Sequence, residues 1–115
     1  MTVTIYHNPA CGTSRNVLGM LRERGVELNV VEYLKTPPSA AKLKSLLALM
    51  GISARELLRK RGGPYEELNL DDPKWSEADL IDFMVKRPLL IERPIVETPK
   101  GARLCRPKEK VLEIL

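Results

Sequence analysis

Histidine occurs once and cysteine only twice in these 115 residues. Two distant thiols, Cys11 and Cys105, make no disulfide framework. With a single imidazole beside them they do not assemble a structural zinc site, so no metal is expected. Aromatics are also scarce, at 4% with one Trp and one Phe, so any core must be aliphatic. No run approaches the ~20 apolar residues that span a bilayer. The N-terminus lacks a charged stretch followed by an apolar one, so no secretory signal and no membrane partner are expected, and cytoplasmic residence is. Charge of one sign is not in large excess either: 19 basic against 15 acidic residues leave +4. Readers of nucleic acid cluster their basic residues on one face or in a run, and this chain does not. A mild positive balance suits a protein that handles small anions. The length predicts one domain, since chains usually split only above roughly 250–300 residues.

What is present reads as alternating elements. Thr2-Val-Thr-Ile-Tyr6 alternates polar and apolar, the period of a strand. Asn8-Pro9 signals a turn. From Thr13 the period becomes helical, with Val17, Leu18 and Leu21 on one face and Gly25 as a left-handed stop. Leu28 to Tyr33 is a second strand, so residues 2–33 form a βαβ unit with a parallel strand pair. Ser39 caps a helix carrying Leu43, Leu46, Leu47 and Met50, closed by Gly51. Ser53 and Glu56 stand at capping-box spacing before a helix that turns Leu57 and Leu58 inward. Ser76 caps another, with Leu80, Ile81 and Met84 on its apolar face and Pro88 as its breaker. Ile95 to Thr98 and Ala102 to Cys105 are strands joined by a Pro99-Lys100-Gly101 hairpin turn. Pro107 opens a last helix. The sum is an α/β fold: a four-stranded mixed sheet with helices against it and a helical insertion at about 38–91.

Chemistry concentrates in His7-Asn8-Pro9-Ala10-Cys11-Gly12-Thr13-Ser14-Arg15-Asn16. Cys11 falls between a strand and the first turn of a helix. Unpaired backbone N–H groups and the helix dipole there favour thiolate over thiol. Such placement lowers a cysteine from ~8.5 to roughly 3.5–7.5, and Arg15 is near enough in sequence to add a full charge. Gly12 and Thr13 bring the same N–H groups to an oxyanion. A buried structural cysteine is the bland alternative, but Pro, Gly, Thr and Ser neighbours describe a loop. Cys11-Gly-Thr-Ser14 has the spacing of a redox CxxC motif with serine in the second place. Ser14 cannot attack a disulfide, so a derivatised Cys11 needs an outside thiol. His7 is a candidate donor of a hydrogen bond or charge toward Cys11. Cys105 reads as a core spectator rather than a resolving thiol. Arg93-Pro94 is a candidate cis peptide. Spacing alone does not choose anion ligands among the arginines.

Taken together, His7-Asn-Pro-Ala-Cys-Gly-Thr-Ser-Arg-Asn16, Tyr33-Leu-Lys-Thr-Pro-Pro38, Leu57-Leu-Arg-Lys60, Pro64-Tyr-Glu-Glu-Leu68, Arg93-Pro-Ile-Val96 and Arg103-Leu-Cys-Arg-Pro107 resemble the ArsC-type, glutaredoxin-dependent arsenate reductases, in order and along nearly the whole chain. The resemblance implies a thioredoxin-like fold with a helical insertion. It implies that Cys11 attacks arsenate, that Arg59, Arg93 and Arg106 bind the oxyanion, and that His7 and Ser14 help to set the thiolate. Glutathione would then attack the adduct, glutaredoxin would supply the reducing thiol, and arsenite would leave, with no cofactor bound. Cys105 matches a position not required for turnover. The chain ends without the C-terminal extension of some members and reads as a shorter one. A second class of protein, the Spx-like regulators that bind RNA polymerase and sense redox state, carries CxxC near the N-terminus. Ser14 and the three arginines favour the enzyme.

Overall fold

The computed structural model describes all residues, Met1–Leu115. The chain divides into two compact units, Met1–Thr36 with Arg93–Leu115, and Pro37–Glu92. The expected insertion, 38–91, falls inside the bounds of the second.

The first unit holds a four-stranded mixed sheet, as the pattern predicts. Its strands are β1 (Thr2–His7), β2 (Glu27–Glu32), β3 (Ile95–Thr98) and β4 (Gly101–Leu104), in the order β2-β1-β3-β4. β1 pairs parallel with β2, Ile5 opposite Val30, and antiparallel with β3, Ile5 opposite Val96. β1 is therefore a central strand, and its C-terminal end points the chain into the Cys11 loop. The β1–β2 connection is helix α1 (Gly12–Glu23). Its stop is Gly25, whose φ of 66° is left-handed backbone that glycine adopts without a Cβ clash.

Val17, Leu18 and Leu21 of α1 pack with Val3, Ile5 and Val96 of the sheet and with Val111 and Ile114 of the C-terminal segment. This is the aliphatic core that the shortage of aromatics requires. Fully burying a residue such as Leu21 contributes ~1.5–3 kcal/mol. The C-terminal segment, Lys108–Ile114, is a 3-10 helix rather than an α-helix. It is tied to the sheet by the Thr98 hydroxyl, which donates to the Ile114 carbonyl at 2.7 Å, and by the Arg103–Glu113 ion pair at 2.9 Å.

The second unit contains α2 (Ala40–Met50), α3 (Ala54–Leu57) and α4 (Glu77–Lys86). Each starts at the serine that the sequence nominates. Ser39 accepts from the Lys42 N–H, Ser53 from Glu56 and Ser76 from Asp79. Only Ser76 and Asp79 complete a reciprocal capping box. At Ser53 the hydroxyl bonds the Glu56 carboxylate instead, and α3 is a single turn. Leu43, Leu46 and Leu47 of α2, Leu57 of α3, and Leu80, Ile81 and Met84 of α4 are buried. Pro88 begins a short 3-10 turn, Pro88–Leu90, beyond α4. No helix is long and apolar enough to cross a membrane.

Candidate functional site

The Cys11 loop is built from local hydrogen bonds. Asn8 Oδ1 accepts from the Ala10 N–H at 3.0 Å, and the Asn8 carbonyl accepts from the Cys11 N–H at 3.0 Å. Cys11 then stands in the N-cap position of α1, with extended backbone and no side-chain cap bond. Its carbonyl accepts from the Arg15 N–H at 3.0 Å, and the Ser14 N–H of the first turn acts on its thiol. Cysteine is a poor cap by propensity. Its presence gives up the hydroxyl or carboxylate that would satisfy those donors, and a thiolate replaces it.

The electrostatics follow from this placement. Burial to 8% exposure pushes the Cys11 thiol up, but the Ser14 N–H, the Arg93 charge and donation from Arg106 and Arg93 outweigh it, leaving the thiol below its ordinary value. Arg106 Nη1 lies 3.8 Å from Cys11 Sγ and also donates to the Arg93 carbonyl at 3.0 Å. The activating cations are thus Arg93 and Arg106. Arg15, expected from sequence proximity to supply that charge, turns its Nη1 to the Pro9 carbonyl at 2.8 Å and braces the loop.

His7 differs from its expected role as well. Its Nδ1 is 2.7 Å from Ser14 Oγ, which also accepts the Asn8 N–H at 3.0 Å. Burial holds the imidazole below its usual range, against an opposing pull from Glu32, so the ring is neutral at pH 7. It brings no positive charge to Cys11. Ser14, fully buried, joins the end of β1 to the first turn of α1 through its hydroxyl and meets Cys11 through its backbone N–H. Gly12 is exposed and Thr13 half-buried in that same turn. Asn8, buried and holding the loop, is a residue that sequence reasoning treated only as a turn former; the Asn-Pro pair was its signal.

Cys105 lies just past β4, fully buried, with its thiol pushed up to about 12 mainly by burial. Its Sγ contacts the Arg103 carbonyl at 3.6 Å. It is a core residue beside Val96 and Val111. Arg93–Pro94, a candidate from the sequence, is cis, and so is Arg106–Pro107. Arg59 belongs to the helical unit. Its N–H bonds the Leu90 carbonyl at 2.7 Å beside the Leu58–Ile91 bridge, and its Nε donates to the Arg61 carbonyl at 2.7 Å. No cluster of His, Cys, Asp and Glu suited to a metal ion is present.

Comparison with known proteins adds the following. The ArsC family profile matches residues 6–114. The arsenate reductase of Escherichia coli (strain K12) is 60% identical over 113 residues, 98% of this chain and 80% of that protein. The uncharacterized protein YfgD of the same organism is 54% identical over 114 residues, 98% of this chain and 96% of that protein. Among solved structures, an arsenate reductase from Vibrio cholerae superposes with a TM-score of 0.95 at 45% identity, covering 100% of this chain and 98% of that one. The fold is thioredoxin-like.

Proposed function

From the fact that this chain belongs to the ArsC family, we propose that it reduces arsenate to arsenite through a covalent adduct on Cys11, with glutathione and glutaredoxin supplying the reducing thiols. The observation that carries the reading is a thiolate-favouring Cys11 at the start of α1 with the Arg106 guanidinium 3.8 Å from its sulfur.

Arsenate is a tetrahedral anion near neutral pH. Guanidinium forks and helix N–H groups bind such a group through charge-assisted bonds. Arg93 and Arg106 take this role, with the first-turn amides of Gly12 and Thr13. Arg59 is assigned as a third ligand on the strength of its Leu57-Leu-Arg-Lys60 motif. Arsenic is soft, so sulfur suits it better than a serine oxygen. The Cys11 thiolate attacks arsenic; an As–S bond forms, one As–O bond breaks and that oxygen leaves as water. Ser14 and His7 position the loop rather than react.

Reduction then needs two electrons. Cys105 cannot deliver them, because its buried thiol keeps its proton. Glutathione attacks the adduct and a glutaredoxin thiol completes the pair. Two thiols become one disulfide, arsenic passes from the pentavalent to the trivalent state, and arsenite departs from a restored Cys11 thiolate. Splitting one reduction into covalent steps is nucleophilic catalysis. Dependence on those thiols fits a protein working in the reducing cytoplasm.

The test is a coupled assay with arsenate, glutathione, glutaredoxin and glutathione reductase. Steady NADPH consumption is expected, lost in Cys11→Ser. Absence of turnover in the unaltered protein overturns the reading.

A further inference from the structure

The chemistry just described needs a thiol from solution to reach Cys11, and the sheet unit has a cavity placed for one. It is a solvent-open depression of about 350 Å³ lined by Thr13, Asn16, Arg106, Pro107, Lys108 and Glu109. Small-ligand pockets run from ~300 to 1,000 Å³, so this one has room for a small molecule. It begins one side chain from the nucleophile: Arg106 lines it and reaches Cys11 Sγ through Nη1.

Its lining has a definite charge pattern, two cations and one carboxylate. Lys108 and Glu109 are exposed and neither has an ion-pair partner. A bare oxyanion gains nothing from Glu109, which repels it. A neutral thiol gains nothing from Lys108. The pattern fits a ligand with two carboxylates and one ammonium, and Thr13 and Asn16 add neutral hydrogen-bonding groups. A thiol peptide with a free amine and two free carboxyl groups has that set.

We propose that this cavity is the docking subsite for glutathione, with Arg106 and Lys108 meeting its carboxylates and Glu109 its ammonium. The proposal rests on the reading of Cys11 as the reactive thiolate, and it assigns a place to the co-substrate. Lys108 and Glu109 are binding residues: they touch the peptide and not the reacting sulfur.

Thiol–disulfide exchange tests this without arsenate. The Cys11 thiolate attacks one sulfur of glutathione disulfide; a Cys11–glutathione disulfide forms, the original S–S bond breaks and one glutathione thiolate leaves. The readout is the exchange rate with glutathione disulfide divided by that with neutral bis(2-hydroxyethyl) disulfide. The division removes any change in Cys11 itself, and exchange with the neutral disulfide reports a folded variant. Reversing one exposed charge predicts that Lys108→Glu lowers this ratio about five-fold, the upper end of exposed ion-pair energies. Lys110→Glu, exposed but outside the lining, lowers it much less. An unmoved ratio in Lys108→Glu, or an equal fall in Lys110→Glu, overturns the subsite, the second by showing only long-range attraction. The two readings fail separately. If the ratio falls as expected but arsenate is not turned over, the subsite stands and the reductase does not. If arsenate is reduced while Lys108→Glu moves neither the ratio nor the KM for glutathione, the reverse holds.

Discussion

At Cys11, two opposing effects meet and geometry decides between them. Burial favours the neutral thiol, while the Ser14 amide and two guanidinium groups favour the thiolate and win. The donor nearest in sequence, Arg15, is spent on the Pro9 carbonyl. Arg106→Ala is therefore expected to move the midpoint of Cys11 alkylation to higher pH, and Arg15→Ala to move it little. Iodoacetamide reaction rates against pH measure both. Equal shifts in the two variants would return the activating charge to Arg15. The sign is simple: reactivity follows the thiolate fraction, which rises with pH through the pKa, so losing a stabilising cation delays the rise. His7 shows the limit of reading a lone residue. Sequence places it seven residues before Ser14, but only the tertiary structure shows that the two meet and that burial, with the charges of Arg22 and Arg15, lowers the affinity of the ring for a proton.

Among the elements, helix starts were the most legible feature, because a serine cap and its amide partner lie within three residues. Ser39, Ser53 and Ser76 all accept the expected N–H. Lengths were harder. The stretch beyond Ser53 yields one turn of helix, since the chain at Leu58 and Arg59 leaves for a bridge with Ile91 and the Leu90 carbonyl. Nothing local announces that competition. The Ser76–Asp79 box is the one complete cap, and Ser76→Ala removes the bond that the Ser76 hydroxyl accepts from the Asp79 N–H while keeping the backbone N–H that donates to the Asp79 carboxylate. A loss of ~0.5–2 kcal/mol is expected, read as a lower urea midpoint with unchanged m-value. A smaller loss would mean that α4 is held by Leu80, Ile81 and Met84 with little help from its cap.

For the molecule as a whole, the two cysteines link stability to pH in opposite directions. The folded state holds Cys105 at about 12, whereas the unfolded thiol titrates near ~8.5. A raised pKa contributes stability that is complete below the unfolded value and is lost as pH climbs toward the folded one. Cys11 is lowered, so its contribution is present above the ordinary thiol value and is lost as pH falls through the folded one. Denaturant titrations of Cys105→Ala are expected to fall off less steeply with alkaline pH than those of the unaltered protein. The difference in slope is up to ~1.4 kcal/mol per pH unit between the two thiol values. Identical slopes would mean that Cys105 ionises in place and is more accessible than its burial indicates. The same variant should keep most of its arsenate turnover.

Periodicity and caps sufficed, without any partner in view, to give the order β-α-β, helices, β-β and a closing helix, because they depend on residues within a turn or two of each other. So did the location of the nucleophile, since a cysteine in a Pro-Gly-Thr-Ser loop before a helix has its amide environment written around it. The tertiary structure decided what lies across long sequence distances. Arg106 reaches Cys11 only because β3 pairs antiparallel with β1 and β4 runs back along β3 to the end of the sheet where β1 enters the Cys11 loop. The same return buries Cys105, and burial keeps its thiol protonated. Charge and burial act through space, falling off over a few ångströms whatever the separation along the chain, and that is why the sequence could nominate these arginines by likeness but not by spacing.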